Sequence, residues 1–131
     1  METSLILKND SDLFGLYEEL GWNSVLGLSS AELAMAMSGS HCAVYVYDGA
    51  VLVGTGRAVS DGVINAYICG IGVLPGYRNR GIAREITRML TDLCRRDGLH
   101  IQLVCEESLV PMYEKMGFVE FASAMKFKGE N

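Results

Sequence analysis

The apolar positions of this chain change period along its length. Leu13, Leu16, Tyr17 and Leu20 recur at helical spacing behind Asp10-Ser11-Asp12, whose short polar side chains are of the helix-capping type. Ser29-Ser30-Ala31-Glu32 fits a capping box and predicts a second short helix running to about Met37. Ser4 to Leu7 reads as a short strand ahead of both. After Met37 the period falls to two. Ala43 to Tyr47 and Val51 to Val59 are β-rich and flank Asp48-Gly49, a hairpin signal because Gly takes the positive φ of a type I′ turn. Asp61-Gly62 predicts a further turn, into a strand from Val63 to Val73.

The second half returns to helical spacing. Ile82, Ile86, Met89, Leu90, Leu93 and Cys94 form one apolar stripe, and Gly98 stands where a helix would stop. Ile101 to Cys105 reads as a strand. Val110 to Met116 reads as a short helix with Pro111 in its first turn and Gly117 at its end. Phe118 to Phe121 and Ala124 to Phe127 close as a hairpin-like pair. The expected order is β-α-α-β-β-β-α-β-α-β-β: an α/β fold, a mixed and mostly antiparallel central sheet with helices on both faces.

Composition narrows the class. The chain has 131 residues, half of them apolar, which fits one domain over residues 1–131. No stretch of about 18 residues is free of polar side chains, so no membrane span is expected. The start, Met1-Glu2-Thr3, is acidic and lacks a following apolar run, so the expected compartment is cytoplasmic, without a signal peptide. Cys42, Cys69, Cys94 and Cys105 stand singly, and His41 and His100 are isolated at strand starts. Small buried hydrophobes and structural histidines explain them better than a metal site, and no metal is expected.

The net charge of −5 disfavours nucleic acid and anionic membranes as partners. The bases nevertheless cluster: Arg78, Arg80, Arg84, Arg88, Arg95 and Arg96 fall within nineteen residues. That pattern suggests a local site for a small anion. It coincides with Val73-Leu74-Pro75-Gly76-Tyr77-Arg78-Asn79-Arg80-Gly81-Ile82-Ala83, which joins a strand to the long helix. Backbone N–H groups and the helix dipole converge at such a turn, and Gly81 lets a phosphate approach. Arg78, Arg80 and Arg84 can neutralise it. A P-loop would need Gly-Lys-Ser or Gly-Lys-Thr, which is missing. Gly70-Ile71-Gly72-Val73-Leu74-Pro75-Gly76 has the wrong spacing for a dinucleotide fingerprint.

Arg78-Asn79-Arg80-Gly81-Ile82-Ala83 resembles the R/Q-x-x-G-x-G/A signature of the GNAT superfamily of acetyl-CoA-dependent N-acetyltransferases. Val73-x-Pro75-x-Tyr77 is similar to its usual lead-in, and Pro111 to Phe118, with Tyr113 and Gly117-Phe118, resembles its second signature. The resemblance covers roughly Ser11 to Phe127. Near the N-terminus, Leu16 to Trp22 is similar to a small bacterial subgroup and to plastid serotonin N-acetyltransferases, a pointer toward small amines.

The resemblance implies direct attack of a primary amine on the acetyl-CoA thioester. Backbone N–H groups from Arg78, Asn79, Arg80, Gly81, Ile82 and Ala83, with the Arg84 side chain, would hold the pyrophosphate. A backbone N–H of the strand Ile71 to Val73 would serve the oxyanion. Tyr113 stands where the family places its general acid, a phenol that stays protonated at neutral pH. Ordinary packing of a helix-face aromatic is the plain alternative. One feature is missing: many members carry a carboxylate five residues before the lead-in proline, and here that position is Gly70. Asp61, Tyr67, Glu106 and Glu107 remain open as bases; Cys69 is a poor one. Tyr17, Trp22, Tyr45 and Tyr47 either line an acceptor pocket or pack the core. A competing reading is an acyl-CoA-binding module with weak or lost catalysis; an interaction domain without cofactor conflicts with the Arg78–Ala83 loop. The acceptor is expected to be a small-molecule amine, the acidic chain favouring a cationic one, and the family admits a homodimer.

Overall fold

The computed structural model describes residues 1–129. Its elements are β1 (Glu2–Ser4), α1 (Asp10–Glu19), α2 (Asn23–Leu26), α3 (Ser30–Ser38), β2 (Cys42–Asp48), β3 (Val51–Ser60), β4 (Asn65–Val73), α4 (Ile82–Arg96), β5 (His100–Leu103) and α5 (Val110–Glu114). Short 3-10 turns, Pro75–Tyr77 and Glu107–Leu109, precede α4 and α5. The sheet runs β1-β2-β3-β4-β5. The first three pairings are antiparallel and the last, reached through α4, is parallel. The α/β architecture is the one the sequence predicts.

Alternation along β2 explains the two cores. Val44 and Val46 turn toward α4 and pack with Val53, Ala58, Ala66, Ile68, Ile86 and Leu90. Tyr45 and Tyr47 turn the other way and pack with Leu13, Leu16, Leu33 and Met37 of α1 and α3. Burying a side chain such as Ile86 or Leu90, both fully enclosed, is worth roughly 1.5–3 kcal/mol. The stripe predicted for α4 is the face that does this. Cys94 lies at its far end, also fully buried, as a small hydrophobe.

Local signals hold in part. The Ser29–Glu32 capping box forms in both directions. At α1 the N-cap is Asn9, without a side-chain bond, and Asp10 and Asp12 lie inside the first turn, where the helix dipole favours acids. The β2–β3 loop is Gly49-Ala50, and only Gly49 has positive φ, 61°, so the turn is not type I′. The chain also forms α2, which the sequence reading lacks; its amphipathic signal is too short to see.

The expected closing hairpin is not formed. Phe118 packs edge-on against Tyr113, but beyond it no described residue is in a strand. Val119 (77% exposed), Phe121 (68%), Met125 (94%) and Phe127 (80%) lie in solvent. Apolar, β-prone side chains do not by themselves make a strand; the backbone must pair with an edge, and this segment does not pair with the open edge of β5.

Candidate functional site

Beyond Ile68, β4 and β5 part. Their parallel pairing covers Asn65 to Ile68 against His100 to Leu103 and stops there, while β4 continues to Val73. On its other side β4 carries a bulge: Thr55 pairs with Gly72 and Arg57 with Cys69, so Gly70 and Ile71 fall outside the β3 ladder. Gly70 has φ +64°, which only glycine takes without cost. The bulge interrupts the regular β3–β4 register at Gly70 and Ile71. It also turns two consecutive residues, Cys69 and Gly70, toward the α1 side of the sheet.

The loop after β4 is fixed by side chains before α4 begins. Arg78 Nε donates to the Val73 carbonyl at 3.1 Å. The Tyr77 hydroxyl donates to Asp48 of the β2–β3 turn, and the Arg80 guanidinium lies over the Tyr77 ring at 5.0 Å. Asn79 (φ 63°) and Gly81 (φ 81°) are both left-handed. Left-handed residues next to ordinary ones turn successive N–H groups inward, forming an anion-binding hollow, here at the N-terminus of a 15-residue helix. A Cβ built on Gly81 meets nothing within 4 Å. The space over Gly81 is therefore open, and a left-handed turn at a helix N-terminus is chemically suited to a pyrophosphate-bearing ligand.

A groove of about 310 Å³ continues from Gly81 along α4, lined by Arg84, Arg88, Arg95 and Met116. A larger hollow, about 540 Å³, lies between α3, β2 and the segment joining β1 to α1, and no residue of this loop lines it. The arginine cluster is less free than its sequence suggests. Arg88 pairs with Glu85 at 2.6 Å and Asp92 at 2.9 Å, and Arg96 with Asp97. Among the described residues Arg84 and Arg95 have no ion pair, and Arg84 stands one turn from Gly81. Ile82 is buried beneath the loop and Ala83 partly so, which pins the helix start to the sheet.

Tyr113 is buried between α5, the end of β5 and α4. Burial pushes its phenol above the ordinary value, the nearby Cys105 thiol adds to this, and the Thr87 hydroxyl of α4 opposes it. The proton is thus held firmly at neutral pH. Tyr17, Tyr45 and Tyr47 are buried in the core on the α1 side, and Trp22 is partly buried against the same cluster. Tyr17 and Trp22 pack in a T-shape at 5.1 Å. Trp22 also lies against Gly72, where a Cβ would come within 2.6 Å of the indole.

The groups left open as bases are scattered. Asp61 accepts the Val63 and Ile64 N–H groups in the β3–β4 turn, which holds its carboxyl below the usual range. That turn is at the far end of β4 from Gly70, roughly 16 Å away at strand rise. Tyr67 is half-exposed on the α1 side of β4. Glu106 and Glu107 are exposed where the chain enters α5. One residue escaped the sequence reading altogether. Arg57 stands in the middle of β3, with its side chain over Gly70; a lone charge inside Val51-Leu52-Val53-Gly54-Thr55-Gly56-Arg57-Ala58-Val59 was the available signal.

Residues 11–118 match the family model for the acetyltransferase (GNAT) family. The chain belongs to the GNAT family. Over 68 residues it is 35% identical to a soybean protein named histone acetyltransferase TAP1, covering 51% of this chain and 29% of that one. This chain thus spans less than a third of that relative's length. A GNAT acetyltransferase structure from Streptococcus pneumoniae superposes with TM-score 0.72 at 25% identity, covering 98% of this chain and 97% of that one. Glucosamine-6-phosphate N-acetyltransferase from Arabidopsis thaliana superposes with TM-score 0.79 at 18% identity, over 99% and 100% of the two chains, and so shares the fold. In this GNAT chain β4 runs directly into the Arg78–Ala83 loop through a 3-10 turn, and its pairing with β5 ends at Ile68. No helix among the described residues is long and apolar enough to cross a membrane, and no described cluster of His, Cys, Asp and Glu could hold a metal ion.

Proposed function

We propose that this protein is an N-acetyltransferase that moves the acetyl group of acetyl-CoA to a primary amine. The observation that carries the reading is the hollow at Arg78–Gly81: two left-handed residues, an open Gly81 and a helix N-terminus, in a chain of the GNAT family.

The N–H groups of Arg78, Asn79, Arg80, Gly81, Ile82 and Ala83 would hold the donor's pyrophosphate, with Arg84, one turn into α4 and without an ion pair among the described residues, as a further cation. The donor supplies an activated acetyl group and a thiolate leaving group. A backbone N–H at the end of β4, of Ile71 beside the bulge or of Val73, donates to the acyl oxygen. Tyr113 gives a proton to the departing sulfur; its raised affinity for that proton keeps it in the acid form throughout the neutral range. Trp22 and Tyr17 form the acceptor wall on the other side of β4. β4 carries no carboxylate, so the ammonium loses its proton to water or to a group outside that strand.

Gly70 favours a second reading, an acyl-CoA-binding module with weak catalysis. A thermal melt followed by an amine screen separates the two. Acetyl-CoA at about one hundred times its dissociation constant adds roughly 2.7 kcal/mol and raises the melting temperature by several degrees. Release of CoA thiol with any amine supports the enzyme; a shift without turnover supports the binding module; no shift removes both.

The outer edge of β5 is unpaired among the described residues, and residues 119–127 expose four large apolar side chains beside it in sequence. These two features support a homodimer in which the segment pairs with the partner's edge.

A further inference from the structure

Arg57 Nε is buried and has no hydrogen-bond partner, the sole such side-chain atom among the described residues. Arg57 also has no carboxylate within ion-pair distance there. Its Nη1 reaches only the Ser40 hydroxyl, at 3.5 Å. A guanidinium stays charged at any pH the protein meets, and leaving one half-buried without an anion is costly. The neighbouring groups do not repair this. Tyr17 is held neutral by burial, against the pull of Arg57 itself, and Cys69 faces Arg57 across the ladder as a free thiol.

The place where a counter-ion belongs is defined by geometry. A Cβ built on Gly70 would lie 3.7 Å from Arg57 Nε and 3.5 Å from the Tyr17 hydroxyl. A short acidic side chain at Gly70 would therefore complete the pair. The chain has glycine there, in the bulge, and Trp22 lies nearby, against Gly72 and edge-on to Tyr17. We infer that Arg57 is a specificity-determining residue, and that the space over Gly70 receives a carboxylate carried by the acceptor amine. The acceptor is then an amino-acid-like zwitterion with an apolar or aromatic body: carboxylate on Arg57 and Tyr17, body against Trp22. This deepens the proposed function and rests on it. It also reverses the expectation from net charge, because the local field at Gly70 is positive although the chain is acidic overall.

The test compares acceptors that differ only in the acid group: L-phenylalanine with L-phenylalaninamide and 2-phenylethylamine, and L-tryptophan with tryptamine. CoA release is followed for the wild type, Arg57→Gln, Gly70→Asp and Gly70→Asn. The wild type should favour the acids in kcat/KM by about tenfold or more, the scale of one charge-assisted pair. Arg57→Gln should bring the ratio near one and leave the acetyl-CoA melting shift intact. Gly70→Asp, which fills the place with the chain's own carboxylate, should lose the preference; Gly70→Asn, of the same size and left-handed tolerance, should keep more of it. Equal use of acid and amide by the wild type, or an unchanged preference in Arg57→Gln, overturns the inference. If no amine turns over, the same pairs are scored by melting the CoA-saturated protein: a shift by the acids alone supports Arg57, and equal or absent shifts overturn it. Failure of acetyl-CoA itself to shift the melt overturns the proposed function instead, and the acid-against-amide shift on the free protein still decides Arg57.

Discussion

Tyr47 donates its phenolic proton to Asp12 across 2.8 Å and so ties β2 to the first turn of α1. The same oxygen accepts the Lys8 N–H at 3.0 Å. Burial lifts the phenol to about 12, so the proton stays on Tyr47 and the donor role is fixed. Removing the hydroxyl leaves the Lys8 N–H and the Asp12 carboxylate, both in part-buried bonds, short of a partner. Tyr47→Phe is expected to lower unfolding stability by about 1–3 kcal/mol, measured by urea denaturation, with the fold retained. A change below a few tenths of that would show that water replaces the bond at no cost.

Gly81→Glu places bulk and negative charge where the phosphate hollow is open. The expected result is loss of the acetyl-CoA melting shift in a folded protein. Gly81→Asn is the control, because asparagine tolerates the φ of +81° better than other side chains. It should keep measurable binding; a folded Gly81→Glu protein that binds normally would move the cofactor elsewhere.

Tyr113→Phe keeps the edge-on contact with Phe118 and removes only the acid. Turnover should fall roughly 10²–10⁴-fold, with acetyl-CoA affinity nearly unchanged. Stopped-flow thiol release against a melt separates the two effects. Equal turnover would make Tyr113 a packing residue.

The His41 Nε2–Asp97 contact, 2.7 Å, joins the start of β2 to the end of α4. The His41 ring, and then Arg96, hold the Asp97 carboxyl below its ordinary value. A lowered carboxyl pKa means the unfolded chain takes up the proton first as pH falls. The contribution is therefore complete above the unfolded value of about 4 and is lost as pH falls through the folded one. The stability gap between wild type and Asp97→Asn should shrink as pH falls below about 4. A gap independent of pH would mean that the contact acts only as a neutral hydrogen bond.

The segment after Phe118 predicts the assembly state. Light scattering on the full chain should give twice the 14.3 kDa of one copy, and a chain ending at Phe118 should give one. A monomeric full chain would remove the strand-exchange proposal.

Local chemistry in the sequence determined the elements and the phosphate hollow. The α4 stripe, the Ser29 capping box and the Arg78–Ala83 loop each act through neighbours within a few turns, so spacing alone reveals them. The family signatures are of the same kind. Tertiary structure decided the rest, because it depends on contacts between residues far apart in the chain. The pairing of Arg57 with Cys69 across a bulge, the place of Gly70 beside Tyr17, and the use of Arg88 on Glu85 and Asp92 are set by three-dimensional neighbours. So is the fate of residues 118–127: their apolar side chains made them strand-like, but β propensity does not choose a pairing edge, and the segment does not join the open edge of β5.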